Sequence, residues 1–394
     1  MSSKAGSYSR MGKGPRSGKD VREEDIPRVL NVFFPGKCNL ACTYCFVRKE
    51  EEHLNDIDEQ AVLREIDVFF EYPGRKKSLS FNGGEPLLEW DLVRKTHAYA
   101  KRQAKKKGLT LEVIIVTNGT LLTQEHVDFF RENDISVRIS IDGSRETHDR
   151  SRPFRAKDGT SSFDVIMNNI RAIRPGSLRL SASLVFGPET VGSLLENIDF
   201  LRRNGFTGID YFPELYATWD KEALSVLRKE AKKIERYYIG LFETKETALF
   251  RSSALDMIVN GSSAGNRETC GKIQADSLGN FYACDKVFSL PKTARGAYLI
   301  GNVKTGVDMG KRRGILDGAR SGFLTESSLG CVSCPLRKYC FCPVGQHIFM
   351  KHGPASDPSF WKSFCAVSKT LITMNLNIVK KLEYDDRFVK LYRF

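Results

Sequence analysis

Three cysteines crowd one short stretch, Lys37-Cys38-Asn39-Leu40-Ala41-Cys42-Thr43-Tyr44-Cys45-Phe46, three residues separating the first pair and two the second. Soft thiolates at this spacing suit an iron–sulfur cluster or zinc. A closed site needs four ligands, so three leave one position open. In a four-iron cluster one iron would then lack a cysteine and could bind a small molecule. A zinc knob would want a fourth ligand close by, and buried structural cysteines rarely gather in one loop.

A second cysteine group starts at Cys270, followed by Gly279, Cys284, Cys331, Cys334, Cys340, Cys342 and Cys365. A pair of zinc ribbons is the alternative to iron there. Asp285 directly follows Cys284. A buried carboxylate beside a negatively charged cluster has its pKa raised toward the range useful for a base; a strand-capping aspartate is the plainer reading. His53, His97 and His126 show no partner and read as solvated, while His347 and His352 are minor candidates for iron ligands.

The elements that must position these groups alternate from residue 28 onward. Strands are expected at Val29–Phe34, Ser78–Phe81, Leu111–Thr117, Ser136–Ile141, Leu178–Val185 and Gly208–Phe212. Between them the apolar residues recur with a helical period, as at Val62, Ile66, Phe69 and Phe70. One helix should run from Trp90 to Lys107 and stop at Gly108, and Thr123 should cap another. Six strand–helix units imply a parallel sheet with right-handed crossovers, an α/β fold of the partial-barrel kind. Residues 214–262 read as a long amphipathic helix and a polar connector. The unusual sequences all follow strands, where barrel enzymes keep their chemistry: the cysteine loop, Gly83-Gly84-Glu85-Pro86, Thr117-Asn118-Gly119-Thr120 and Ser140-Ile141-Asp142-Gly143.

The chain has 394 residues, 41% of them hydrophobic, enough for one large core and a smaller one. No apolar run approaches the roughly 18 residues of a membrane span. Ten cysteines without an export signal point to metal in a reducing, cytoplasmic setting. A formal charge of +13 attracts an acidic partner, nucleic acid or an acidic peptide. Part of that excess lies in the Ser/Gly-rich start, expected to be a disordered leader.

The C-x3-C-x2-C loop with its aromatic, the GGEP sequence, and the TNG and SxDG turns together resemble the radical S-adenosylmethionine (SAM) enzymes. The resemblance implies that Cys38, Cys42 and Cys45 hold a [4Fe-4S] cluster whose open iron chelates SAM. It implies that Gly83, Gly84, Glu85 and Pro86 receive the SAM amino group, that Asn118 and Asp142 line the site, and that Ser140 with Arg152 meets the SAM carboxylate. An ammonium wants several acceptors, and an arginine fork suits a carboxylate. The second cysteine group is similar to the SPASM extension of that family, with two auxiliary [4Fe-4S] clusters. By that pattern Cys331, Cys334, Cys340 and Cys365 hold one, and Cys270, Cys284 and Cys342 the other. The match departs from the family in a first spacer one residue short and in the single residue between Cys340 and Cys342. Sulfatase-maturating relatives carry a further cysteine where Ala264 stands, so the second auxiliary cluster is expected to have an open iron. In those relatives an aspartate placed like Asp285 resembles a general base.

The domains expected are a leader over 1–27, a partial barrel over 28–260, a SPASM domain over 261–370 and a C-terminal helix over 371–394. The expected activity is radical modification of a ribosomally made peptide, with an intrapeptide thioether or C–C crosslink as the product. Such a reaction needs an external electron donor. With only 37 residues before Cys38, an acidic leader peptide must be read by a separate recognition protein or by the basic barrel surface. Oxidation of Ser or Cys to formylglycine is the nearest alternative. A pure electron-transfer protein would not need GGEP, and an RNA-modifying enzyme would want aromatics interleaved with a basic stripe.

Overall fold

A computed structural model describes residues 26–34, 37–47, 56–260, 271–326, 330–340, 345, 348 and 358–392, apart from 157, 175, 177, 215–216 and 245. The first half alternates strand and helix: β1 Val29–Phe33, α1 Glu59–Phe70, β2 Lys76–Asn82, α2 Trp90–Lys107, β3 Thr110–Thr117, α3 Gln124–Glu132 and β4 Ile135–Ser140. There follow α4 Arg145–Ser151, α5 Ser162–Ala172, β5 Leu180–Phe186, α6 Leu194–Arg203, β6 Phe206–Pro213, α7 Lys221–Glu243 and α8 Ser253–Asn260. The second half comprises β7 Lys272–Asp276, β8 Asn280–Tyr282, α9 Lys292–Arg295, β9 Leu299–Asn302, β10 Gly306–Val307, α10 Met309–Glu326, α11 Pro358–Leu382 and α12 Asp386–Tyr392.

The local signals explain many of these boundaries. The Asp58 side chain accepts from the Ala61 amide at 3.0 Å and starts α1. Gly108, at φ +64°, ends α2. Thr123 and His126 form a capping box on α3. Alternate strand residues such as Leu30, Val32, Leu79, Phe81, Ile115 and Ile139 are buried in the main core beneath the helices. The residues between them, Asn31, Ser80, Asn82, Ser140 and Ser183, are polar and line the other face of the sheet.

Strands β1 to β6 pair in parallel and in chain order, so the sheet is an open half-barrel, as the strand–helix alternation predicts. The sheet does not end at β1. β7 pairs with β1 in parallel, Asn31 directly opposite Gln274, and their buried side chains share a hydrogen bond of 2.7 Å. The antiparallel strands β8, β9 and β10 extend the same sheet. The expected division at 260/261 thus falls after α8, and one ten-stranded sheet runs across it.

Several elements differ from expectation. The helix foreseen within 214–262 is two, α7 and α8, and between them Arg251 bridges Gly208 beside β6. The expected boundary at 370 lies inside α11, which packs against α7 and α8. Helix α4 is additional. Residues 1–25 of the expected leader lie outside the described residues. Among the described residues no helix is long and apolar enough to cross a membrane.

Candidate active site at the strand ends

The loops after β1 to β4 are joined to one another by hydrogen bonds. The cysteine loop leaves β1 and runs beside residues 151–155: Ala41 N donates to Pro153 O at 2.8 Å, Thr43 N to Ser151 O at 2.9 Å and Arg155 N to Asn39 O at 2.9 Å. Cys38 and Cys42 are half-buried and Cys45 is exposed. The GGEP loop is fastened to this loop by Glu85 N, which donates to Lys37 O at 2.8 Å. Gly83 makes that approach possible. Its φ is +130°, and a Cβ there would overlap the Phe34 carbonyl.

Glu85 joins the second loop to the third. Its buried carboxylate accepts from Thr117 Oγ1 at 2.7 Å, Asn118 N at 2.6 Å and Leu87 N at 3.0 Å. Burial pushes its pKa up to about 7, against the pull of those three donors. The Asn118 side-chain amide donates to Asn39 Oδ1 at 2.8 Å and approaches Cys38 Sγ at 3.8 Å, bringing the third loop to the first cysteine. Thr120 completes this corner by accepting from Asn39 Nδ2 at 2.8 Å and donating to Asn118 Oδ1.

The fourth loop centres on Asp142, which has no exposed surface. Its carboxylate accepts from Arg152 Nε at 2.9 Å, Arg152 Nη2 at 3.0 Å, Val185 N at 2.9 Å and the Tyr44 hydroxyl. Arg152 lies 5.2 Å over the Tyr44 ring and donates also to Ser183 O at 3.3 Å. Burial, above all, raises the Tyr44 pKa well above the usual phenol range. His148 accepts from Asp142 N at 3.3 Å through Nδ1. Burial lowers the His148 pKa to about 4, so it is a neutral acceptor at pH 7. Ser140 ends β4 opposite Ser183.

The auxiliary residues divide between described and undescribed positions. Cys270, Cys342, His53, His347 and His352 lie outside the described residues. Burial pushes the Cys365 thiol up, Cys331 and Cys334 push it further, and Lys369 acts the other way, so these three cysteines share one neighbourhood. Cys340 follows on the same run of turns, its amide donating to Arg337 O at 3.0 Å. Cys284 is buried in the second core, with Phe33, Val47 and Phe288. Phe33 stacks on Phe288 at 4.3 Å, and Lys286 Nζ lies 4.0 Å over Phe46, so this core reaches the cysteine loop.

Asp285 is expected from the sequence to have a raised pKa when it stands beside a charged cluster; the chain's own groups act on it as follows. Burial does push it up, but Lys286 at 3.2 Å, Lys272 and the Cys284 thiol outweigh burial and lower it. His97 and His126 are not solvated either. His97 is buried against Phe129, its pKa lowered by burial to about 4, and His126 packs edge-on to Trp90 while capping α3. Tyr44, Asn39 and His148 are site residues to which the sequence assigns no role, and Thr117 and Thr120 belong to a turn it marks without showing their partners. For Tyr44 a signal existed, an aromatic held between two of the three cysteines.

The donor set fits an iron–sulfur cluster. Three thiols stand on one loop at a strand's C-terminal end, the soft donors that such a cluster takes. Residues 32–201 match the Radical SAM superfamily. The chain is 30% identical over 219 residues to the serine-type anaerobic sulfatase-maturating enzyme of Bacteroides thetaiotaomicron, covering 54% of this chain and 49% of that protein. It spans about half the length of the curated relatives it matches first. Its fold is similar to native anSMEcpe with bound AdoMet and Cp18Cys peptide, at TM-score 0.70 and 17% identity over 90% of this chain and 99% of that one. It is also similar to Streptococcus suis SuiB bound to precursor peptide SuiA, at TM-score 0.56 and 17% identity over 85% and 75%.

Proposed function

Residues 32–201 of this chain are a radical SAM domain, and from that premise we propose that the protein crosslinks a ribosomally made peptide, joining a cysteine sulfur to a carbon of another residue. The observation that carries the reading is the joining of four strand-end loops around the three thiols, through Lys37–Glu85, Glu85–Asn118, Asn118–Cys38 and Tyr44–Asp142. Cys38, Cys42 and Cys45 would hold the SAM-binding cluster. Cys331, Cys334, Cys340 and Cys365 would hold one auxiliary cluster, and Cys270, Cys284 and Cys342 another. When bound, these groups supply a carbon radical that takes a hydrogen atom from the substrate and an acceptor for the electron left behind.

The chain's own residues supply position and proton handling. The backbone of Gly83 and Gly84, held open by the Gly83 conformation, would receive the SAM ammonium. Arg152, with Ser140 at the end of β4, would meet the SAM carboxylate. Asp285, kept ionised beside Lys286, would take the proton of the substrate thiol. Ten cysteines less the three of the first loop leave seven, one fewer than two closed auxiliary clusters use. The position open on the second cluster suits a substrate thiolate. In the product a C–S bond has replaced one C–H and one S–H bond, a net loss of two hydrogens.

Similarity to sulfatase-maturating enzymes supports a second reading, oxidation of Ser or Cys to formylglycine. One experiment separates them. The anaerobically reconstituted chain is given SAM, dithionite and the short cysteine-containing peptides encoded beside its gene, and products are weighed and probed. A crosslink gives a peptide two hydrogens lighter whose thiol no longer alkylates and which carries no aldehyde. A hydrazide-reactive aldehyde would establish formylglycine and overturn the crosslink.

A further inference from the structure

We propose that Asp142 is a positioning residue that holds the Cys42–Cys45 turn through Tyr44, leaving Arg152 to meet a ligand carboxylate with its Nη1 edge alone. The proposal rests on the reading that Cys38, Cys42 and Cys45 hold the cluster.

An ionised carboxylate has about four acceptor sites. All four on Asp142 are taken by this chain: Oδ1 by Val185 N and Arg152 Nη2, Oδ2 by Arg152 Nε and the Tyr44 hydroxyl. With no exposed surface and no acceptor to spare, Asp142 has nothing to offer a cofactor directly. Arg152 is committed in the same way. Nε and Nη2 serve Asp142 and Ser183 O, and Nη1 is the nitrogen with no acceptor among the described residues. A bidentate clamp on a ligand carboxylate would require Arg152 to leave Asp142.

What Asp142 does hold is Tyr44. The two halves of the cysteine loop are attached differently. Leu40 bridges Phe154, and Ala41 and Thr43 donate to Pro153 and Ser151, so backbone fixes the stretch up to Thr43. Beyond it the turn is closed by Cys45 N to Cys42 O at 3.2 Å; after Cys45 it meets β1 through Phe46 on Phe33, and between the two cysteines the Tyr44 side chain ties it to the end of β4. That ring is fixed from two directions, its hydroxyl by Asp142 and its face by the Arg152 guanidinium. The direction of the Cys42 and Cys45 thiolates is therefore set jointly by the β1 packing of Phe46 and by a contact made at the end of β4, and Tyr44 is the member of that pair that lies between the two cysteines. Partners that orient a metal's ligands commonly change affinity at the metal by about 10–100-fold when removed.

The test uses the full chain with Tyr44→Phe, Asp142→Asn and the double variant. In the metal-free chain, Tyr44→Phe should speed amide hydrogen exchange in residues 42–47 with an unchanged melting temperature. After anaerobic reconstitution it should keep its iron content, weaken SAM binding about tenfold and alter the paramagnetic resonance of the SAM-bound cluster. The double variant should bind SAM no worse than Asp142→Asn alone. Parental exchange, affinity and spectrum in Tyr44→Phe would overturn the proposal. So would loss of SAM binding in Asp142→Asn with Tyr44→Phe unaffected, which would make Asp142 a ligand. Should the parent chain itself bind no SAM, the cluster reading fails, while the metal-free exchange still decides whether Tyr44 holds the turn.

Discussion

Gly83 is where the GGEP loop meets the strand that leads into the cysteines. At φ +130° an L-residue is strained, and a Cβ there would press into the Phe34 backbone. Gly108 also has a positive φ, but a Cβ there would meet only open space. Gly108→Ala should therefore cost about 1 kcal/mol from conformation alone. Gly83→Ala should cost at least about 2 kcal/mol more, since neither backbone can yield cheaply. Denaturant unfolding of the two metal-free variants checks this, and equal midpoints would contradict the packing described. At this scale the sequence shows which residues are unusual but not whom they touch. Glu85 is legible as part of a motif, yet its partners Thr117 and Asn118 are more than thirty residues away, and no local pattern announces them. The histidines show the same limit: nothing in the sequence around His97 reveals that Phe129 covers it.

Helix α1 carries the clearest cost among the elements. Glu65 is fully buried, neither of its oxygens has a hydrogen-bond partner among the described residues, and burial, with help from Asp276, raises its pKa well above the carboxylate range. Asp276 is itself held as an acceptor by Asn280, the Leu278 amide and Tyr282. The folded chain thus keeps the Glu65 proton where the unfolded chain loses it. A raised folded pKa gives stability that is complete below the unfolded value and lost as pH rises through the folded one, by up to about 1.4 kcal/mol per pH unit. Glu65→Gln should remove that dependence, so the variant gains on the parent between pH 5 and pH 8. A stability difference unchanged across that range would contradict a protonated Glu65. Helical periodicity does place position 65 on the inner face of α1, beside Val62, Ile66 and Phe69, but only the fold shows that no cation among the described residues pairs with it. The strands were readable to within a few residues because apolar alternation and turn residues agree there. The pairing of β7 with β1 was not, because Lys272–Asp276 carries no mark of the partner that Asn31 and Gln274 select.

Across the whole molecule, one continuous sheet places Cys284 and its core against the loop of Cys38, Cys42 and Cys45, by way of Phe33, Phe46, Phe288 and Lys286. On the proposed function, this loop, backed by three neighbouring strand ends, would be the centre where SAM is cleaved, and the second cysteine group would hold iron independently. The direct measurement is release of 5′-deoxyadenosine from SAM under dithionite, with iron counted, for the parent and for Cys38→Ala, Cys42→Ala and Cys45→Ala combined. The parent should release 5′-deoxyadenosine. The triple variant should release none while retaining the iron bound by the second group. A triple variant that still cleaves SAM would contradict the account.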